Sequence, residues 1–190
     1  MNDDDLPILG EAAPIELANS LYLTEEEAID FLADDAAARR WFRVAELDQG
    51  PWPSRTKAGE HRRLVALRNA IKALLKAAET ATVPPRSAVD EVNRCARLSP
   101  VVAQLSWPRD EEPTAKVRFE QSGVAGLLAR LAVATIELLS SDDVDRLRRC
   151  EGPGCSMMFL QHHRRRRFCH ESCSHRARQM RYYRRTRGTA

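Results

Sequence analysis

"CEGPGCSMMFLQHHRRRRFCHESC", residues 150–173, holds four of the chain's five cysteines and wraps them around a run of arginines. The order is Cys150-x4-Cys155, then 13 residues, then Cys169-x3-Cys173. Two close pairs joined by a short loop are what a tetrahedral Zn²⁺ site needs, because each tight turn delivers two thiolates. Gly152 and Gly154 sit inside the first pair, where a positive φ would let backbone N–H groups approach sulfur. Residues 156–168 are expected to form a β-hairpin between the pairs. On it, Met158 and Phe159 would shield the metal and Arg164, Arg165, Arg166 and Arg167 would lie just before Cys169. Cys173 should open a helix on which Cys173, Ala177 and Met180 share a face.

Knuckle, hairpin and ligand-bearing helix is the order of a treble-clef finger. The four cysteines Cys150, Cys155, Cys169 and Cys173 would hold one structural Zn²⁺. His162, His163, His170 and His175 are the alternative ligands. So small a module lacks the apolar burial to fold alone, and metal binding would add stability on the order of 10 kcal/mol. Four thiolates leave no open position for water, which argues against catalysis by this metal.

Charge divides the chain. The 190 residues carry a net +3, but the 45 from Arg146 onward carry +11 and the first 145 carry −8. That tail has 13 arginines and no lysine. Arginine's planar fork suits phosphates and guanine edges, so a polyanionic partner is expected. A solvated terminus in an arginine-rich composition is the alternative, and the absence of lysine counts against it.

The body reads as mainly helical with a small β element, an α+β chain. Pro14–Leu23 has the short alternation of a strand. Thr24-Glu25-Glu26-Glu27 matches a capping box for a helix through Ile29, Phe31 and Leu32. Asp34 and Asp35 can cap a second helix, and residues 60–78 a third, with Leu64, Leu67, Ile71, Leu74 and Leu75 on its buried face. Ser87-x-x-Asp90 opens a fourth. Residues 101–107 and 114–120 form a hairpin. Ser122 caps an apolar central helix, and residues 142–149 form a short helix leading into Cys150. The expected division is residues 1–141 for the body and 142–190 for the finger.

No catalytic constellation stands out. His61 is the body's lone histidine, Cys95 reads as a small buried apolar residue, and no phosphate loop or nucleophile elbow is present. No apolar run is long enough to span a membrane, the N-terminus lacks a signal-peptide pattern, and the default location is the cytoplasm.

The stretch from Arg146 to Arg185 resembles the CGNR zinc finger, with Cys173-Ser174-His175-Arg176 at the position of the run that names it. Ser174 and His175 depart from that run, which leaves the role of its asparagine without a counterpart here. "GEAAPIELANSLYL" and "HRRLVALRNAIKALLKAA" are similar to parts of the ABATE-type domain that accompanies this finger in bacterial proteins. The resemblance implies a helical N-terminal domain, a treble-clef finger and a transcriptional regulator that binds DNA in stress responses.

The expected function is therefore DNA binding, with no enzymatic activity. Duplex DNA is the expected partner; RNA binding or an adaptor role for the same module are the alternatives. The nucleic-acid candidates are Arg164 to Arg167, His175, Arg176, Arg181, Arg184 and Arg185, with base reading sought first at His175 and Arg176. No membrane partner is expected. The body leaves room for homodimerisation and for a small-molecule effector.

Overall fold

The computed structural model describes residues 6–23 and 27–187. Its elements are α1 (Ala13–Asn19), β1 (Leu21–Leu23), β2 (Ala28–Asp30), α2 (Asp35–Ala45), α3 (Glu60–Glu79) and α4 (Arg86–Ala96). There follow β3 (Val101–Ser106), β4 (Thr114–Phe119), α5 (Gly123–Leu139), a 3-10 turn (Asp142–Arg146), β5 (Leu147–Arg149), β6 (Met158–Leu160) and α6 (Glu171–Arg187). Three two-stranded antiparallel sheets pair β1 with β2, β3 with β4 and β5 with β6.

The long amphipathic patterns become helices. α3 buries Leu64, Leu67, Ile71, Leu74 and Leu75, as its 3–4 spacing requires. α5 buries Val124, Leu127, Leu128, Leu131 and Leu138, and α1 and α4 pack on α3 and α5 around one core. Gly126 is obligatory in α5. A Cβ there would sit 2.1 Å from the Gln121 carbonyl oxygen, far inside contact distance.

Four expectations in the body are corrected. Residues 13–19 are helical, with only Leu21–Leu23 extended. Every residue from Pro14 to Asn19 is buried, so apolar spacing carries no period there, and Pro14 suits a first helical turn. Residues 28–30 form strand β2. Arg68, 2% exposed, clamps Asp30 through two bonds of 2.5 and 3.0 Å, and the Leu32 N–H donates to the same carboxylate, which fixes a turn where a helix was expected. The Thr24–Glu26 part of the capping box lies outside the described residues. α4 starts after Pro85 with no side-chain cap, while Asp90 accepts from Arg86 one turn back. Asp34 does cap α2, accepting from the Ala37 N–H at 2.8 Å, whereas the Ser122 side chain caps nothing at α5.

Three corrections concern the finger. Only residues 142–146 of the expected short helix are helical, as a 3-10 turn, and residues 147–149 are extended. The finger's hairpin pairs β5 with β6 across the first cysteine pair, so Arg164–Arg167 lie in the loop that follows. The extended run of β6 and the residue before it serves two cores by alternation: Met157 and Phe159 face the cysteines, while Met158 and Leu160 join the body core with Leu147. Met157, and not Met158, is thus Phe159's partner over the cysteines.

Candidate metal centre and nucleic-acid face

The knuckle at residues 150–155 is a set of backbone clips. The Cys150 N–H donates to the Met157 carbonyl at 2.9 Å, the Cys155 N–H to Gly152 at 3.0 Å, and the Glu151 N–H to Arg167 at 3.0 Å. The second pair is clipped by α6, whose first turn carries Cys173 with its N–H on the His170 carbonyl. These elements bring Cys150, Cys155, Cys169 and Cys173 together with all four Sγ atoms within 4.8 Å of one another.

The geometry fits zinc. A tetrahedron with Zn–S arms of about 2.3 Å has S···S edges of about 3.8 Å. The Cys155–Cys169 and Cys169–Cys173 Sγ distances are 3.8 and 3.6 Å. Backbone N–H groups of Gly152 and Cys169 point at the Cys150 sulfur from 3.4 and 3.3 Å, and such donors stabilise a thiolate. With hydrogen bonds from the neighbouring cysteines as well, Cys150 is held far below the ordinary thiol range. The neighbouring Cys150 sulfur and burial push Cys155 and Cys169 up. A divalent cation would balance this charge and let all four thiols ionise while pinning the knuckle to α6. The described metal-binding group contains no histidine.

Of the two glycines, Gly154 has φ +67°, and Gly152 has no positive φ. Gly152 matters for space. A Cβ would stand 2.8 Å from Cys173 Cβ and 3.2 and 3.3 Å from the Cys173 and Cys150 sulfurs. Around the cysteines pack Met157, Phe159, Phe168, Leu9 and Tyr22, the last two from the body.

The candidate arginines fall into two groups. Arg164 and Arg165 are exposed in the loop, and Arg178, Arg181, Arg184 and Arg185 are exposed on α6, as is His175 at its start. Arg166 instead stacks on Phe159, 4.4 Å from the ring centroid, and donates to the Leu160 and Cys169 carbonyls, both at 3.3 Å. It also pairs at 3.0 Å with Glu11, whose side chain is 4% exposed. Arg167 pairs with Glu151. Arg176 lays its guanidinium on the Cys173 sulfur at 3.0 Å and on the Tyr22 hydroxyl at 3.4 Å, and these contacts raise its pKa. The sequence reading missed Glu11, Asn19 and Tyr22, whose spacing carries no sign of the finger. The match of Arg176 to the CGNR run was the one available hint that this arginine serves the site.

Elsewhere, His61 bonds to the Leu32 carbonyl oxygen at 2.8 Å, and burial pushes the Cys95 thiol up to about 11, as suits a packing residue. No helix among the described residues is long and apolar enough to cross a membrane.

Comparison with protein families agrees with this architecture. Residues 146–186, from the end of the 3-10 turn through α6, match the CGNR zinc finger. Residues 11–142, spanning α1 to α5, match the ABATE model, described as "putative stress-induced transcription regulator". No curated protein matches the chain. With more than half of its length in that second match, the chain belongs to the ABATE family and carries a C-terminal CGNR zinc finger.

Proposed function

We propose that the protein is a cytoplasmic transcriptional regulator without a catalytic step, in which residues 142–190 bind duplex DNA and residues 1–141 form the body that carries them. The observation behind this reading is α6. It has six arginines, no acid after Glu171, and an attachment at one end through Cys173. Arginines around an exposed helix repel one another in isolation. Phosphates relieve that repulsion and release counterions on binding.

Arg164, Arg165, Arg181, Arg184 and Arg185 are the phosphate contacts in this reading, and His175 is the candidate for reaching a base edge. Arg166, Arg167 and Arg176 already hold Glu11, Glu151 and Cys173. They support the surface and contribute less directly.

Fluorescence anisotropy of a labelled duplex tests this. If about six phosphates are neutralised, log K against log[salt] should fall with a slope near −5. Arg164→Ala, Arg181→Ala and Arg184→Ala should each weaken binding to all sequences alike and flatten the slope by about one unit. Absence of salt-dependent binding at micromolar protein would sink the reading. Tighter binding to an RNA hairpin of equal length would transfer it to RNA.

A further inference from the structure

Helix α6 has two distinct sides. Ala177, Met180, Arg181 and Arg184 line a groove against Pro153 and Phe168 of the finger. At about 100° per residue these four cluster on one side of the axis. His175, Arg178 and Tyr182 follow spacings of three and four. They fall within about 60° of one another and lie about 140° around from the side that meets the finger. This outer face is turned to solvent: His175 and Arg178 are exposed, and Tyr182 is 66% exposed.

Nothing inside the molecule accounts for the outer face. Arg166, Arg167 and Arg176 are each pinned to an acid or a ligand sulfur, whereas Arg178 makes no ion pair with a described residue. Tyr182 stands outside both apolar cores. Its ring is braced by Tyr183, 6.1 Å away at 70° and itself 61% exposed. Tyrosine set out in this way, an apolar body with a polar tip, is typical of a contact surface.

Charge and shape indicate the partner. α6 carries six arginines and no acid after Glu171, which suits a polyanion. Every residue from Arg178 to Thr186 is exposed, so about 13 Å of bare helix can enter a groove. The major groove of B-DNA admits a helix, whereas that of A-form RNA is too deep and narrow to be read. From His175 to Tyr182 the rise is about 10 Å, close to three base-pair steps of about 3.4 Å. Arginine makes a bidentate pair with guanine, and an aromatic edge packs on a thymine methyl.

We infer that His175, Arg178 and Tyr182 form the base-reading face of α6, with Arg178 on a guanine and Tyr182 on a thymine methyl. The finger then recognises a block of about three base pairs. This rests on the DNA reading above, and it makes Arg178 and Tyr182 specificity-determining where that reading needs phosphate contacts alone. Arg181 and Arg184, on the flank toward the knuckle, and Arg185, beyond Tyr182, are left to the phosphates.

Sequence selection from a randomised duplex library by the full zinc-loaded chain, followed by anisotropy on enriched and scrambled duplexes, tests this. A block of about three base pairs containing a guanine should be enriched. Arg178→Lys keeps the charge and loses the planar fork. Preference for that guanine should fall about 10–100-fold, with binding to scrambled duplex unchanged. Tyr182→Ala should cost about fivefold in preference for a thymine within the block. Arg184→Ala should weaken enriched and scrambled duplexes alike and leave the block intact. Zinc content and helical circular dichroism equal to wild type establish that each variant is folded. Should Arg178→Lys or Tyr182→Ala lose zinc, Arg178→Gln or Tyr182→Ser puts the same question. Salt-dependent binding with no enriched block overturns this inference and leaves phosphate binding standing. An enriched block whose preferences survive both substitutions overturns it as well. Absence of any salt-dependent binding removes the DNA reading and this inference with it.

Discussion

The side-chain amide of Asn19 pairs both ways with the backbone of Met158. Asn19 Nδ2 donates to the Met158 carbonyl at 2.9 Å, and the Met158 N–H donates to Asn19 Oδ1 at 2.9 Å. Both groups are buried, so the last residue of α1 completes the hydrogen bonding of the finger's strand β6. Asn19→Ala would leave two buried backbone groups without partners, at about 1–3 kcal/mol each. We expect a thermal midpoint lowered by several degrees, in a single transition shared by body and finger. An unchanged midpoint would show that water replaces the amide without loss.

Purified protein should hold about one equivalent of zinc, measured by elemental analysis. Cys169→Ser should lose most of it and unfold the finger. Because Leu147, Met158 and Leu160 sit in the body core, the loss should also lower the melting temperature of the helices. Full metal retention in this variant would exclude Cys169 as a ligand.

Gly152→Ala places a methyl group 2.8 Å from Cys173 Cβ. Side-chain atoms of the ligands Cys173 and Cys150 surround it, so the knuckle must open. Zinc affinity in a chelator competition should fall by about 10–100-fold, the scale seen when groups supporting metal ligands are disturbed. Wild-type affinity would mean that the knuckle yields more easily than its hydrogen bonds suggest.

Arg166 and Arg165 are neighbours with opposite duties. Arg166→Ala removes a cation–π contact, two carbonyl bonds and the partner of buried Glu11, and should cost about 2–4 kcal/mol in denaturant unfolding. Its effect on the salt slope of DNA binding should be slight. Arg165→Ala should do the reverse. Equal effects from both on stability would contradict the division.

Glu16 gives the body a pH dependence. It is 1% exposed and accepts from the N–H groups of Leu9 and Glu11 at 2.8 and 2.7 Å, while its Oε2 has no hydrogen-bond partner among the described residues. Burial raises its pKa above the ordinary 4.5. The folded state therefore holds this proton more tightly than the unfolded chain. Glu16's contribution is fully present below pH 4.5 and is lost as pH rises through the raised value. Glu16→Gln keeps the accepting oxygen and removes the charge, so it should stabilise the protein at neutral pH and flatten the profile above 4.5. Urea titrations at several pH values measure this; a variant less stable at pH 7 would refute it.

What the sequence made legible follows from the range of each cause. α3 and α5 repeat apolar residues at 3–4 spacing, a local signal that burial obeys, so both were readable. The four cysteines were readable because ligand spacing is also local. β2 was not, because its conformation depends on Arg68, 38 residues beyond Asp30. α1 was misread because it is buried on all sides and seven residues long, which leaves no period to detect. The arginine run hid the role of Arg166, since its partner Glu11 lies at the other end of the chain. Arg176 likewise meets Tyr22 across 154 residues.

Helix α6 behaves mechanically as a cantilever. Beyond its mounting at Cys173 the helix extends about 21 Å to Arg187. A tilt of about 10° at that mounting swings the far turn by about 4 Å, more than half the gap between successive phosphates on a strand. The stiffness of the mount, set by four sulfurs, the Gly152 contact and the Arg176 brace to Tyr22, therefore decides how sharply Arg184 and Arg185 are aimed. Loosening the brace would blur that aim while leaving every arginine in place.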